Sequence, residues 1–334
     1  MVNNIRLFLI LLSINRSFLW YFDWSGSGTR LETFIKNYLL RRGLHMTDFF
    51  SPKEVALAIG VSESSLKRWV DKGLIPAEKT GGGHRRMSLD AVLKFLREQG
   101  RTLSEPQAIG LPAESGRRPP SSHSDHQEFL RFLLSGDEPS ARRIVMDAFL
   151  NGYSVAKIFD SIMVPSFGEI GNLWHCGTLE VFQERRACEI CSRVVHELRR
   201  AVGRGPSDGS VAIGGTLDGD PYTIASSMSE VVLRESGWRA LSMGNMLPFN
   251  TLMKAVEIDR PRLMWLSVTS IRSLEQFVAN FNVLFDTATS LGCVLVVGGQ
   301  ALTADIRPLL RYTTYCDNFR HLEAFSKTIV PREN

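Results

Sequence analysis

Near residue 50, apolar side chains begin to recur at helical spacing in two short stretches. The first is preceded by Ser51 as a helix cap, with Pro52 at the first helical position and Glu54 in the first turn. The second opens with a cap at Ser62 and carries an apolar face that includes Leu66. Two short helices joined by a tight, glycine-containing turn predict a helix-turn-helix. The following LIPAEKTGGGHRR predicts a hairpin tip, with a further helix expected from about 90 to 98.

The pattern changes twice further along the chain. From 126 to about 202 every segment is helix-periodic, and four amphipathic helices predict a four-helix bundle over 125–202. From 210 onward, short apolar runs (VAIGG, RALSMG, LMWLSV, CVLVVGG, YTTYC) alternate with helical stretches. Five such units predict a flavodoxin-like (Rossmann-like) doubly wound parallel sheet over 208–331, which binds ligands at the carboxyl ends of its strands. The expected fold class is therefore multidomain, α and α/β.

Two regions lack such periodicity. Residues 99–124 are rich in Pro, Gly and Ser and predict a flexible linker. Residues 1–45 are expected to be a poorly structured extension, or the result of a start codon assigned too early, because organised sequence begins at Met46. The short apolar run Leu7–Leu12 followed by SGSG leaves a signal peptide as the alternative.

Composition narrows the function classes only slightly. The chain of 334 residues has 39 basic and 35 acidic side chains, so its net charge of +4 does not by itself name a partner. Five cysteines without zinc-finger spacing argue against a disulfide framework and a structural zinc site, and fit a reducing cytosol. The longest apolar run is far shorter than the ~20 residues that a membrane helix needs. A cytoplasmic protein without a membrane segment is expected.

The second helix and the glycine hairpin concentrate hydroxyls and cations, which suit contacts to phosphates and base edges in DNA. A solvated basic face on a protein-interaction module is the alternative. The candidate DNA-binding residues are Ser64, Ser65, Lys67, Arg68, Lys79, Thr80, His84, Arg85 and Arg86.

The run SSLKRWVDKGLIPAEKTGGGHRRMSLDAV closely resembles the winged helix-turn-helix of the MerR superfamily, in its compact form with a GGHRR wing. The resemblance covers about 49–98 and implies a MerR-like DNA-binding domain over 46–98. It implies that the second helix faces the major groove and that the wing grips the backbone or minor groove. Such domains usually bind paired half-sites, so double-stranded DNA and a second copy of the chain are the expected partners.

A four-helix bundle followed by a flavodoxin-like domain resembles the cobalamin-binding module of methionine synthase. With a MerR-like domain in front, the whole order resembles the CarH/LitR-type light-responsive repressors, over roughly 49–330. Members of that family hold adenosylcobalamin between bundle and sheet, and the ligand sets their oligomeric state and DNA affinity.

The family's bundle motif is a Trp, a Val seven residues later, and a Glu-His pair three residues beyond. Trp174, Val181 and Glu184 match this motif, but Arg185 stands at the histidine position.

Glu184 is also unusual on physical grounds, because it shares a helix face with Val181, Cys188 and Cys191. A buried carboxylate needs a partner, and Arg185 is not expected to supply it because adjacent helix positions point apart. A glutamate at the bundle end, in contact with water, is the alternative. Both cysteines are expected to point into the bundle as small hydrophobes, without a redox or metal role.

The family's sheet motif, Asp-x-His-x-x-Gly, follows the first strand, and its histidine coordinates cobalt from below. Asp220 matches, whereas Tyr222 occupies the histidine position and Ala225 the glycine position.

Later parts of the motif persist. Ser267 and Thr269 resemble the Ser-x-Leu/Thr element after the third strand, and Gly298 and Gly299 match the paired glycines after the fourth. The glycines would let the backbone approach a ligand tail closely, although a glycine pair is also common as a plain turn. The candidate cofactor-binding residues are Trp174, Val181, Glu184, Asp220, Tyr222, Ser267, Thr269, Gly298 and Gly299.

Because both imidazoles are missing, the ligand stays open. A phenol is a poor neutral ligand for cobalt, although tyrosinate binds ferric haem iron. Three interpretations follow: a cobalamin bound without a protein lower ligand, another tetrapyrrole or flat cofactor, or an emptied pocket that mediates self-association or partner binding.

The expected function is that of a DNA-binding transcriptional regulator whose cobalamin-type sensor module is vestigial or altered in ligand. The alternative is a corrinoid- or tetrapyrrole-binding protein or methyltransferase fragment without a DNA-linked role. The sequence contains no Walker loop, G-x-G-x-x-G motif or Cys/His metal set, and Ser267 stands where a phosphoacceptor receiver would carry Asp. No enzyme activity and no metal site are therefore expected.

Overall fold

The computed structural model describes residues 49–81, 83–113, 115–116, 122–206 and 208–329. The predictions for residues 1–45 lie outside the described residues. The head, residues 49–111, is a helical domain with a small antiparallel sheet in the order β1-β3-β2. Its elements are β1 (Phe49–Phe50), α1 (Pro52–Ile59), α2 (Glu63–Asp71), β2 (Glu78–Lys79), β3 (Arg85–Ser88) and α3 (Leu89–Glu98).

Local chemistry explains the boundaries of the first two helices. The Ser51 hydroxyl accepts from the Glu54 amide while the Glu54 carboxylate accepts from the Ser51 amide, which completes a capping box. Gly60 ends α1 in the left-handed conformation (φ 76°), and Ser62 caps α2 by accepting from the Ser65 amide. Leu66 on α2 is fully buried in the core of the head. The predicted helix-turn-helix is therefore present.

The flexible linker predicted for 99–124 is wrong over its first half. Leu103, Ile109 and Leu111 are buried, and a 3-10 helix forms at Pro106–Ile109. The amides of Ser104 and Glu105 both donate to the Ala58 carbonyl at the end of α1, at 2.8 and 3.1 Å. Three apolar side chains supply enough buried surface to fix this segment on the head, despite its Pro- and Gly-rich composition. Residues 114 and 117–121 of the predicted linker lie outside the described residues, and its last three residues, 122–124, belong to the first helix of the bundle instead.

The bundle, residues 122–202, consists of four helical stretches, as predicted. A π-helical turn, Phe159–Met163, interrupts the third stretch and ends two residues before Pro165, which has no N–H to donate to that turn. The helices are α4 (Ser122–Ser135), α5 (Glu138–Leu150), α6 (Val155–Ile158), α7 (Val164–His175) and α8 (Val181–Val202).

The sheet domain, residues 211–329, has five parallel strands in the order β5-β4-β6-β7-β8. This is the flavodoxin-like order, so the predicted fold class is confirmed. The central strand β6 is buried at every position, as a strand covered on both faces must be. The elements of the sheet domain are β4 (Val211–Thr216), α9 (Ile224–Glu235), β5 (Arg239–Ser242), α10 (Phe249–Asp259), β6 (Leu263–Ser267), α11 (Leu274–Ser290), β7 (Val294–Gly298), β8 (Thr314–Tyr315) and α12 (Phe319–Ile329).

Polar contacts attach the bundle to helices of the sheet domain. Arg199 on α8 forms an ion pair with the buried Glu230 on α9, at 3.6 Å. The Asp160 carboxylate accepts the amides of Phe319 and Arg320 at the start of α12, at 2.9 and 3.0 Å. The bundle therefore lies against α9 and α12. Within the described ranges, none of the helices has the length and apolar character to cross a membrane.

Candidate functional site

The first turn of α2 exposes a cluster of hydroxyls. The Ser62 Oγ lies 2.9 Å from the Oγ atoms of both Ser64 and Ser65, and Arg68 donates to Ser65 at 3.2 Å. Hydroxyls and a guanidinium at the amino end of a helix suit contacts to phosphate and to base edges.

The wing, residues 78–88, turns tightly at Thr80. The Thr80 amide donates to the His84 carbonyl at 2.9 Å, and the His84 amide donates back to the Thr80 hydroxyl at 3.2 Å. This turn exposes His84, while Lys79 is exposed on the strand that leads into it. The described residues of the wing therefore bring the predicted cations together beside a hydrogen-bonded turn.

A concavity of about 600 Å³ lies between α1, α2 and the wing. It brings together four of the predicted residues, Lys67, His84, Arg85 and Arg86, and adds Lys53, which the sequence analysis did not select. Lys53 could have been found from its place in the first turn of the first helix, which crosses the DNA backbone in helix-turn-helix complexes. The residues that line the concavity are Ser51, Pro52, Lys53, Glu63, Lys67, Asp71, Gly83, His84, Arg85 and Arg86.

Carboxylates of the flanking helices hold the cations of this concavity. Arg85 pairs with Asp71 at 2.6 Å, and Lys67 pairs with Glu63 at 2.9 Å. The side chains are between about one third and one half exposed, so each pair is worth less than about 1 kcal/mol and can exchange for a phosphate. The sequence analysis did not predict these carboxylates as partners.

At the carboxyl edge of the sheet, Asp220 is fully buried in the loop after β4. One of its carboxylate oxygens accepts the Tyr222 amide at 3.1 Å, and the other accepts the amides of Thr269 and Ser270 at 2.5 and 3.2 Å. The carboxylate thus joins the loop after β4 to the loop after β6. Three backbone amides therefore satisfy both oxygens of this buried carboxylate.

The side chain of Tyr222 is about half exposed beside this carboxylate. It offers a phenol where the related motif has a neutral nitrogen donor, so the residue does not fit cobalt coordination from below.

A second cavity, of about 190 Å³, lies between the carboxyl edge of the sheet and the helices α9 and α12. We call it the sheet-edge cavity. Gly299 has φ 121°, and a Cβ there would lie 2.2 Å from the Val268 carbonyl oxygen, so glycine is required. The sheet-edge cavity is lined by the predicted residues Ser267, Gly298 and Gly299, together with Ala225, Ser229, Trp265, Leu266, Val296, Val297, Cys316, Asp317, Asn318, Phe319 and Leu322.

The sequence analysis missed the contribution of α9 and α12 to this cavity. Ser229 and Phe319 follow no motif, and only the packing of their helices on the sheet places them there. A narrow, glycine-lined cavity of this kind fits the tail of a ligand better than a macrocycle.

Two of the three bundle residues of the related motif lie at the surface, and Glu184 is half-buried. Trp174 and Val181 are each more than half exposed. Glu184 accepts from the Cys188 thiol at 3.2 Å and pairs with Arg185 at 3.3 Å. The expectation that Arg185 could not partner Glu184 is therefore wrong, because a long, exposed arginine can fold back along its own helix.

The thiols of α8 are held protonated. Burial, and then the hydrogen bond to Glu184, raise the pKa of Cys188 to about 12, and burial raises the pKa of Cys191 well above its ordinary value. Across the described ranges, His, Cys, Asp and Glu side chains form no group of three that could hold a metal ion.

Comparison with known proteins gives two family matches. Residues 49–100 match the family model described as a helix-turn-helix domain, and residues 126–199 match the model described as a B12 binding domain.

Two curated proteins are similar to the chain. The HTH-type transcriptional repressor CarH of Myxococcus xanthus is 28% identical over 261 residues, which cover 72% of this chain and 86% of that protein. The trimethylamine corrinoid protein of Methanosarcina barkeri is 21% identical over 173 residues, which cover 51% of this chain and 79% of that protein.

Among solved structures, the Methanosarcina barkeri monomethylamine corrinoid protein aligns with a TM-score of 0.54 at 11% identity. The alignment covers 63% of this chain and all of that protein, and it shows a shared fold.

The domain content is that of a DNA-binding transcriptional regulator with a corrinoid-binding type of module. More particularly, the chain is similar in sequence to the CarH repressor and has a helix-turn-helix domain followed by a B12 binding domain, in the order that the resemblance to CarH/LitR-type repressors predicts.

Proposed function

We propose that the chain is a transcriptional repressor that binds paired DNA half-sites as a homo-oligomer through the concavity between α1, α2 and the wing. The observation that carries the proposal is the convergence of cations from three elements on that one surface. The exposed pairing of these cations with carboxylates leaves them available to phosphate. The similarity to CarH supports the role of repressor and argues against an enzyme.

The double substitution Arg85→Ala and Arg86→Ala tests this proposal. A duplex selected by the wild-type chain from random sequence serves as the probe, and its affinity is measured against salt concentration. Log K falls as log salt rises, and loss of two phosphate contacts makes this negative slope shallower by about 2. The control removes two cations elsewhere, Lys94→Ala and Arg311→Ala, and leaves the slope unchanged. An unchanged slope in the wing variant contradicts the proposed surface.

Oligomeric binding is tested with the same duplex and with a version cut to one half-site. The molar mass of each complex is measured by light scattering, with two or more copies expected on the full site. One copy on both duplexes contradicts the homo-oligomer.

We further infer that a corrinoid on this module is held by its tail in the sheet-edge cavity, without a protein ligand to cobalt. The engagement of Asp220 by three amides and the phenol at position 222 support this inference. A bound corrinoid would supply a light-sensitive cobalt–carbon bond; Ser267, Gly298 and Gly299 would hold its tail.

The full chain is incubated with adenosylcobalamin in the dark and desalted, and its absorbance spectrum is recorded. We expect a retained corrin spectrum that Tyr222→Phe leaves unchanged and that Gly298→Val abolishes. A colourless protein overturns the inference and leaves the cavity to self-association or a partner. In a parallel incubation with ferric haem, retention of haem with a spectrum that depends on Tyr222, and no retention of the corrinoid, overturns the inference in favour of another tetrapyrrole.

A further inference from the structure

Helix α9 touches both the sheet-edge cavity and the head. Ala225 and Ser229 in its first two turns line the cavity, and Glu235 is its last residue. Its 12 residues, at a rise of about 1.5 Å each, span about 18 Å. A single regular helix therefore connects the sheet-edge cavity to α3 of the head.

Glu235 lies where the head, the bundle and the sheet domain meet. Arg97 on α3 donates to Glu235 Oε1 at 3.1 Å and to the Tyr153 carbonyl at 3.1 Å. Its guanidinium also lies 4.1 Å from the centre of the Phe149 ring. The other Glu235 oxygen accepts the Val155 amide at 2.6 Å, at the first residue of α6. One carboxylate thus binds a group from the head and a group from the bundle.

The pair differs from the other ion pair of α3. The Arg97 and Glu235 side chains are 23% and 19% exposed, whereas Lys94 and Glu98 are 77% and 57% exposed. Moving one partner of a shielded pair leaves a charge poorly compensated, while an exposed pair is replaced by water. The position of α3 is therefore sensitive to the position of Glu235.

From α3 the contact continues to the DNA-facing helix. Phe95 on α3 packs against Trp69 on α2 with ring centroids 5.1 Å apart. Other contacts keep the head attached to the body: a Cβ on Gly203 would lie only 2.5 Å from the Asp90 carboxylate, so α3 also lies close to the end of α8. Loss of the Arg97 pair therefore changes the setting of the head without releasing it.

We propose that α9 transmits a change at the sheet-edge cavity to the DNA-binding head through the Glu235–Arg97 ion pair. A group that enters the cavity displaces the first half of α9, Glu235 moves with the helix, and α3 and α2 follow. The proposal rests on the proposed function only in that a ligand supplies this displacement in the working protein. The mechanical link belongs to the chain itself.

The link is tested in the full chain without any ligand, by a bulky substitution on the side of α9 that faces the cavity. Ser229→Phe adds a ring at the cavity wall, and hydrogen–deuterium exchange is measured for the amides of α2 and α3. We expect exchange there to accelerate about fivefold or more, the size of a modest coupling between sites. In the Arg97→Ala background, we expect Ser229→Phe to add less than twofold. In the Lys94→Ala background, which alters the exposed pair on the same helix, the full response is expected.

Equal responses with and without Arg97, or a folded Ser229→Phe chain with unchanged exchange in the head, overturn the proposal. If circular dichroism shows that Ser229→Phe does not fold, Ala225→Leu provides a smaller push at the same wall. Because no corrinoid is used, a failure of corrinoid binding leaves this result intact. Loss of the α9 link likewise leaves the DNA-binding and corrinoid experiments unaffected.

Discussion

The head and the sheet edge carry their candidate functional groups in opposite ways. In the head, long charged side chains stand at the surface and pair loosely with carboxylates, as Arg85 does with Asp71. At the sheet edge, Asp220 is fully buried and accepts three backbone amides. Long cations reach a phosphate from many positions, whereas an enclosed ligand depends on single residues. The phenol of Tyr222, at the histidine position of the related motif, therefore changes the chemistry of the sheet edge, whereas the head keeps its cations at the surface.

The largest expected effect is at Gly299. Gly299→Ala places a Cβ 2.2 Å from the Val268 carbonyl oxygen at φ 121°, and should lower the free energy of unfolding by about 3 kcal/mol or more. Gly237→Ala is the control, since φ there is 88° but no atom lies within 4 Å of the added Cβ, and about 1 kcal/mol is expected. Urea denaturation measures both. Equal losses would show that the close approach at the cavity is not enforced.

The next effect compares two carboxylates directly. Asp220→Asn turns one acceptor towards its amides into a donor and should cost about 2 kcal/mol of stability, because a charged hydrogen bond is lost in a buried site. Asp71→Asn in the head should cost less than about 0.5 kcal/mol, since that pair is exposed. Thermal unfolding of the two variants decides. Similar losses at both positions would remove the contrast between the two regions.

A smaller effect is expected on DNA affinity. Asp71→Asn releases Arg85 from its carboxylate and removes a negative charge from the concavity, so affinity at low salt should rise about threefold and the gain should shrink at high salt. Fluorescence anisotropy with the selected duplex measures both conditions. A fall in affinity would instead mean that Asp71 positions Arg85 for DNA.

The smallest effect is a pH dependence in the body. Burial and the neighbouring Arg199 lower the pKa of His196 below its ordinary value of 6.5, against an opposing contribution from Glu230. Below about pH 6.5 the unfolded chain binds a proton at this residue more readily than the folded chain does. The free energy of unfolding therefore falls as the pH drops from about 6.5 towards the lowered pKa of the folded state. Thermal unfolding between pH 8 and pH 5 should show a weaker fall for His196→Gln than for the wild type. Parallel curves would exclude this contribution.

Most of the fold follows from local patterns in the sequence. The caps at Ser51 and Ser62 begin helices because each hydroxyl accepts a free amide of the first turn, and those bonds are present. The nearly continuous apolar run LMWLSV predicts a strand covered on both faces, and Leu263–Ser267 within it forms the central strand. Features of this kind need only a few neighbouring residues to form.

The features missed by the sequence analysis depend on distant partners. Leu103 and Ile109 lie in a Pro- and Gly-rich segment, and their burial requires the surface of α1. Ser229 lines the sheet-edge cavity because α9 packs beside β6, which no local spacing encodes. The pairing of Arg185 with Glu184 was missed for another reason. Helix geometry fixes the direction in which each side chain leaves the backbone, but not the position of the charged group at the end of a long arginine.

The attachment of residues 99–111 to α1 also defines the portion of the chain that could be moved as a cassette. The Ala58 carbonyl receives the amides of Ser104 and Glu105, and Leu111 is buried at the end of the same segment. A gene fusion that joins this head to another sensor after residue 98 would strip apolar cover from α1, whereas a junction after residue 111 would carry it along. Recombination between such regulators during evolution would meet the same boundary, so the exchangeable unit is longer than its helix-turn-helix motif.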